Sequence, residues 1–257
     1  MSNKEGHCMI NFKQLLYHST PHHIFVSAWL EEQGIDRKST YAYKKNNWIT
    51  SLGYGAFVKK DVSPMLDAAV EALQKQLLLP LHFGGKSALL NLHHRMHFVK
   101  FKKERSELFA PTKTVLPTWF KSNFQEEYDL VLSDFLPDTL GIEERETEEF
   151  KLNISSPERA FLEMLYRMPS KTSTKEAYQI LELLPTLRPK LLNTLLSQCQ
   201  SIKVNRLFLY LADEANLDWL AGIEKDKINI GSGIRSIDKA GTYNKKYRLV
   251  INQVGDI

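Results

Sequence analysis

Cysteine, glycine and proline are scarce in this sequence, and it has no long apolar run. Two cysteines in 257 residues, Cys8 and Cys199, cannot build a disulfide framework or a four-thiolate zinc site, and they fit a reducing compartment. Twelve glycines and ten prolines exclude collagen-like and low-complexity chains. The longest apolar stretches, such as Leu77-Leu78-Leu79-Pro80-Leu81, are far too short to span a bilayer. The opening Met1-Ser2-Asn3-Lys4-Glu5-Gly6 lacks a signal-peptide apolar region. The expectation is a cytoplasmic protein without membrane association. Its length allows one large domain or two modest ones with a buried core.

What is present is charge, unevenly spread. Residues 1–105 hold 15 Lys/Arg against 8 Asp/Glu, residues 106–150 hold 3 against 11, and residues 151–257 return to 16 against 11. A basic front ahead of an acidic belt points to a polyanion-binding module joined to something else; ordinary solvated faces are the plain alternative.

The front reads as short helices and a hairpin. Met9, Phe12 and Leu16 fall on one helical stripe. Thr20-Pro21 predicts a helix start carrying Phe25, Val26, Trp29 and Leu30 to a stop at Gly34. Asp36 then caps a helix running to about Asn46-Asn47. Trp48–Leu52 and Ala56–Lys60 around Gly53-Tyr54-Gly55 read as a hairpin. This is the order of a winged helix-turn-helix, whose third helix enters the major groove and whose hairpin is the wing. Base contacts are expected from Arg37, Lys38, Ser39, Thr40 and Tyr41, and phosphate contacts from Lys44, Lys45, Lys59 and Lys60.

From Ser63 the pattern is mixed α/β. A helix capped by Ser63-Pro64, strands at Leu81–Phe83, Phe98–Phe101, Glu107–Phe109, Tyr128–Leu132 and Phe150–Ile154, and helices at 156–168, 174–184 and 188–216 are expected, the last breaking near Gln200-Ser201. The tail 227–251 reads as hairpin-like around Gly231-Ser232-Gly233 and Gly241. The fold class is therefore α+β: an N-terminal winged helix-turn-helix over residues 1–62, then a larger mixed α/β domain over residues 63–257.

Three constellations have chemical potential. Gly84-Gly85-Lys86-Ser87 has phosphate-loop residues, but a Walker loop needs glycine where Pro80 stands. His93, His94 and His97, with His22-His23, lack the cysteine or carboxylate company of a metal site. Pro137-Asp138 ahead of Glu149-Phe150-Lys151 matches a loose metal-dependent nuclease pattern, against the default of a solvated acidic face. No catalysis, no cofactor and no metal are expected.

Several segments together resemble the AbiEi-type antitoxin family, DNA-binding partners of nucleotidyltransferase toxins in bacterial abortive-infection systems. They are Gly34–Lys38, Trp48–Phe57, Ala69–Gln74, Leu79–Leu89, Ser156–Ala160, Leu187-Arg188-Pro189, Lys203–Leu209 and Ile230–Gly233. The resemblance implies a winged helix that represses its own operon at inverted repeats in double-stranded operator DNA. It also implies a C-terminal domain that neutralises a nucleotidyltransferase-type toxin, in type IV fashion, without a stable complex. Asn47 stands where a glycine often precedes the tryptophan, and asparagine tolerates the left-handed conformation next best. Lys44 stands where the family tends to be apolar. Surface determinants of neutralisation are sought among Arg188, Lys190, Lys203, Arg206 and Arg235, because long cationic side chains seldom lie fully buried; a structural role for Arg188 and Arg206 is the alternative. Rival readings are a plain winged-helix transcription factor with a sensing or dimerisation domain, and the nuclease.

Overall fold

The structure, a computed structural model, describes residues 11–92, 105–147 and 149–253. Met9, Cys8, His93, His94, His97 and the expected strand Phe98–Phe101 lie outside the described residues. In chain order, α1 (Phe12–His18), β1 (Phe25–Val26), α2 (Ser27–Glu32), α3 (Arg37–Lys45), β2 (Ile49–Gly53), β3 (Ala56–Lys59) and α4 (Leu66–Lys75) come first. Next are β4 (His82–Phe83), α5 (Gly85–Ser87), a π-helical turn, β5 (Ser106–Ala110), α6 (Thr118–Phe124), β6 (Tyr128–Leu132), β7 (Ile142–Glu146) and β8 (Lys151–Ser155). Four helices follow, α7 (Pro157–Tyr166), α8 (Thr174–Glu182), α9 (Pro189–Gln198) and α10 (Ile202–Ala215), then short strands β9 (Arg235–Ser236), β10 (Thr242–Asn244) and β11 (Leu249–Ile251). The chain divides into two compact units: one reaches Leu81 and takes in Thr114–Tyr128 and Arg145–Leu152, and the other comprises His82–Lys113, Asp129–Glu144 and the chain from Asn153.

In the first unit, Asn11 opens α1 with a capping box: its side chain accepts from the Lys13 N–H, and Gln14 reaches back to the Asn11 N–H. Phe12 and Leu16 pack with Phe25, Leu30, Ile35 and Ile49 into a small core. Asn47 takes φ 58°, the left-handed turn expected before Trp48. Two expected helix starts fail. No helix starts at Thr20-Pro21, and the Thr20 hydroxyl is buried without a hydrogen-bond partner. Phe25-Val26 instead pairs antiparallel with Phe57 and Ala56 of β3, giving the sheet order β1-β3-β2. The Gln76 side chain serves the other edge of β1, accepting from the Val26 N–H at 2.8 Å and donating to the Ile24 carbonyl. Buried backbone groups thereby find partners without a helix. Similarly, α4 starts one residue beyond Ser63-Pro64-Met65, with no side-chain cap. Helix α6 went unanticipated; its Asn123 donates to the Leu52 carbonyl of the hairpin at 2.6 Å.

The second unit is built on a five-stranded mixed sheet of order β6-β5-β4-β8-β7, with β4 antiparallel to β5 and parallel to β8. Ser156, Ser173 and Ser201 cap α7, α8 and α10. Phe161, Leu165, Leu192, Leu196, Leu207 and Phe208 are fully buried in one core. In the tail, β11 pairs antiparallel with β10 and parallel with β9, and the hairpin turns between Asn244 and Leu249, beyond Gly241.

At the centre lies Glu163 of α7, with none of its surface exposed. Its carboxylate accepts from His82 Nε2 (2.8 Å), Arg159 Nε (2.7 Å), Ser155 Oγ (2.7 Å) and the Gly85 N–H (3.1 Å). Burial pushes its carboxyl up, but His82 first, then Arg159 and Ser155, more than offset this and hold it at about 2. Buried Glu107 accepts from the Lys86 N–H at 2.7 Å. A Cβ at Gly84 would overlap the Glu163 carboxylate, and one at Gly85 the Glu107 carboxylate. The Gly-Gly pair is thus where two protein carboxylates approach the backbone, and these occupy the amides that a phosphate loop would offer.

Glu163→Gln should lower the unfolding free energy by about 3–5 kcal/mol, because the buried donors lose their charged acceptor. Since the folded carboxyl lies below its ordinary 4.5, its stabilisation is complete above that value and is lost as pH falls toward about 2. The variant should lack this part of the acid limb. Urea melts at pH 7 and pH 3 check both points, and equal midpoints for the two proteins at pH 7 would refute the assignment.

Candidate nucleic-acid interface

Helices α2 and α3 are joined by a tight turn. The Gly34 and Ile35 N–H groups donate to the Glu31 and Leu30 carbonyls at 3.0 and 2.9 Å, and Ile35 is buried. Asp36 then accepts from the Ser39 N–H at 2.6 Å and starts α3; this backbone hydrogen bond holds its carboxyl below the usual range. Tyr43 is half-buried against Phe12, with ring centroids 4.6 Å apart, which fixes the face of α3 that turns inward.

The opposite face presents Arg37, Lys38, Ser39, Tyr41, Lys44 and Lys45, all exposed. Lys38, Lys44 and Lys45 make no ion pair among the described residues. Arg37 Nε pairs with Glu31 at 2.6 Å, a hydrogen bond that raises the guanidinium pKa. Both partners are solvated, so the pair exchanges readily for another anion. Thr40 requires a correction. It is 6% exposed and its hydroxyl donates to the Asp36 carbonyl, because position 40 falls on the inward stripe, so it is not among the outward-facing residues.

A groove of about 610 Å³ in this unit is flanked by Arg37, Tyr41 and Lys44 of α3 and by Ser51 and Tyr54 of the hairpin. Tyr54, at the hairpin tip between two glycines, is 92% exposed. Lys59 is partly withdrawn: its ammonium donates to the Ser19 carbonyl at 2.7 Å, and burial lowers its pKa. Lys60 is exposed, 3.3 Å from Asp61. A second hollow, of about 460 Å³, is lined by Lys13, Tyr17, Trp48, Lys59 and Lys60. Sequence reasoning did not select Lys13, Tyr17, Trp48 or Tyr54. Aromatics flanking a glycine turn on a basic segment were the available signal for Tyr54.

Other candidates are dispersed. His22 Nδ1 lies 3.3 Å from the Ser63 carbonyl. His23 is brought down to about 4 by burial and then by Lys59. Among the described residues, no three His, Cys, Asp or Glu side chains are grouped to hold a metal. Lys151 pairs with Glu146 at 3.3 Å, and Asp138 is exposed.

The C-terminal cations fall into two groups. Lys190 and Arg235 are exposed without ion pairs among the described residues. Arg188, half-exposed, is fastened to Glu158 at 2.8 Å and Glu143 at 2.7 Å; the Glu158 hydrogen bond drives its pKa well above the usual range. Lys203 donates to the Tyr166 and Met168 carbonyls, and burial, then Arg235, lowers its pKa to about 8. The expectation that Arg206 lies on the surface is overturned. It is 2% exposed, since its guanidinium serves carbonyls of Ile230, Gly233 and Arg248.

Comparison with known proteins gives the class, transcriptional regulators. The family model described as transcriptional regulator, AbiEi antitoxin N-terminal domain, matches residues 9–101. The one described as transcriptional regulator, AbiEi antitoxin, type IV TA system, matches residues 103–252. The chain therefore belongs to the AbiEi family of antitoxin transcriptional regulators of type IV toxin–antitoxin systems, whose partners in general are DNA and a toxin. The crystal structure of the RV2827C protein from Mycobacterium tuberculosis is similar in fold, with a TM-score of 0.62 at 15% identity over 95% of this chain and 90% of that one. No curated protein matches the chain. Among the described residues, no helix is long and apolar enough to cross a membrane.

Arg206→Ala should destabilise the protein by more than about 2 kcal/mol, because three carbonyls lose a charged donor. Lys190→Ala should stay within about 0.5 kcal/mol. Chemical denaturation of both variants checks this, and equal stabilities would contradict the burial argument.

Proposed function

We propose that residues 1–62 form a winged helix that binds inverted repeats in double-stranded operator DNA, and that residues 63–257 neutralise a nucleotidyltransferase-type toxin. The observation that carries the first half is the outward face of α3, where Lys38, Lys44 and Lys45 have no ion pair among the described residues while the opposite face is buried. A cation face left uncompensated on a short, well-capped helix suits a polyanion with a groove wide enough for a helix. Arg37, Lys38, Ser39 and Tyr41 sit toward its N-terminal end, the end that reads base edges. Lys44, Lys45, Lys59 and Lys60 would meet phosphates, with Lys59 first giving up its Ser19 contact. The second half rests on the family, described as antitoxins of type IV toxin–antitoxin systems.

In anisotropy titrations with the full-length chain, Lys38→Ala and Tyr41→Ala should each weaken operator binding about tenfold and leave random duplex little changed. Lys44→Ala and Lys45→Ala should weaken both and lower the salt slope by about one each. Unchanged operator affinity in the Arg37→Ala/Lys38→Ala double variant would sink the DNA assignment. Growth rescue on co-expression of the adjacent gene's product, if that gene encodes a nucleotidyltransferase, tests the toxin assignment; failure to rescue, or a neighbour of another kind, would remove it.

A further inference from the structure

The loop Ile230–Ile234 of the second unit, just ahead of β9, is held from behind by two guanidiniums. Arg206 Nε donates to the Ile230 carbonyl, and its Nη1 donates to the Gly233 carbonyl at 2.6 Å. Arg248 Nη1 donates to the Gly231 and Ser232 carbonyls at 2.9 and 3.0 Å. Four successive carbonyls therefore face guanidinium. A trans peptide sets each carbonyl opposite the next residue's N–H. The N–H groups of Ser232, Gly233 and Ile234 accordingly point away from those guanidiniums. None of the three donates to a protein group among the described residues, and all three residues are exposed. Gly231 takes φ 59°, and a Cβ there would stand 3.2 Å from Ile202 Cγ2, so glycine lets the loop close on α10.

The charge here is uncompensated. Among the described residues, Lys203, Arg206, Arg235 and Arg248 form no ion pair with a carboxylate. The hydrogen bonds of Lys203, Arg206 and Arg248 go to backbone carbonyls, which satisfy the donors but leave the net charge in place. The cations feel one another: besides burial, Arg248 and Arg235 lower the Arg206 pKa, and Arg235 lowers that of Lys203. Successive outward amides on a positively charged base favour an anion.

We propose that the amides of Ser232, Gly233 and Ile234, with the exposed Arg235 guanidinium, form a binding site for a phosphate group, carried by a nucleoside triphosphate or by a nucleic-acid backbone. The site lies in the C-terminal unit and does not depend on the DNA contacts assigned to α3.

The test uses two full-length variants. Gly233→Asp puts a carboxylate at the mouth of the loop; its Cβ meets nothing within 4 Å, so the backbone tolerates it. Arg235→Ala removes the exposed cation. Each variant and the parent are titrated with a labelled ribonucleoside triphosphate and with a labelled 12-nucleotide single-stranded RNA of arbitrary sequence, with thermal melts confirming folding. At least one probe should bind the parent and bind both variants tenfold or more weakly. Loss on the triphosphate identifies a nucleotide, and loss on the RNA alone identifies a backbone phosphate. Should Gly233→Asp fail to fold, Arg235→Ala carries the same comparison. Failure of the parent to bind either probe, or unchanged affinity in the folded variants, overturns the proposal.

Discussion

A single buried negative charge organises the second unit. The Glu163 carboxylate has no access to water, and a lone carboxylate in such a place would be driven neutral. It stays ionised because four donors from four places in the chain converge on it: a strand histidine, a helix arginine one turn away, a serine at the end of β8, and the backbone of Gly85. Satisfying it fixes β4, α5, β8 and α7 in register. The glycines at 84 and 85 follow from the same constraint, since any side chain there would displace a carboxylate. A sequence that looks made for an external phosphate is thus occupied by the protein's own acid groups.

The first unit meets the same demand for satisfied polar groups by another route. Strand β1 is only two residues long, and one edge of it is closed by the amide of Gln76, which gives and takes a backbone hydrogen bond as a neighbouring strand would. With β1 held, the small aromatic and aliphatic core under α1, α2 and α3 is complete. Helix α3 is left with one committed face and one solvated, cationic face.

The cations show why counting charge is a poor guide to function. Arg188 and Arg206 carry the same charge as Lys190 and Arg235, yet the first pair is bound to Glu158 and to loop carbonyls while the second stands in solvent. An arginine fork can satisfy several carbonyls at once, which lets it be buried where a lysine would be costly. Sequence alone gives no sign of which arginine does so, because the acceptors of Arg206 come from residues 24 to 42 positions away.

Much of the local chemistry was legible, although the helix caps expected at Thr20 and Ser63 did not form. Asp36 caps α3 as expected, α7 opens at Ser156 as expected, Asn47 adopts the left-handed turn, the break at Gln200-Ser201 separates α9 from α10, and the family could be read from ordered short segments. These features depend on interactions within three or four residues. What the sequence did not disclose depends on partners far along the chain. Phe25-Val26 became a strand because Ala56, Phe57 and Gln76 lie beside it; Thr40 turned inward because Phe12 and Tyr43 set the buried face of α3; Arg206 sank because a distant loop offered it carbonyls. Propensity and capping are properties of neighbours in sequence, whereas burial and hydrogen-bond satisfaction are properties of neighbours in space, and only the tertiary fold decides who those are.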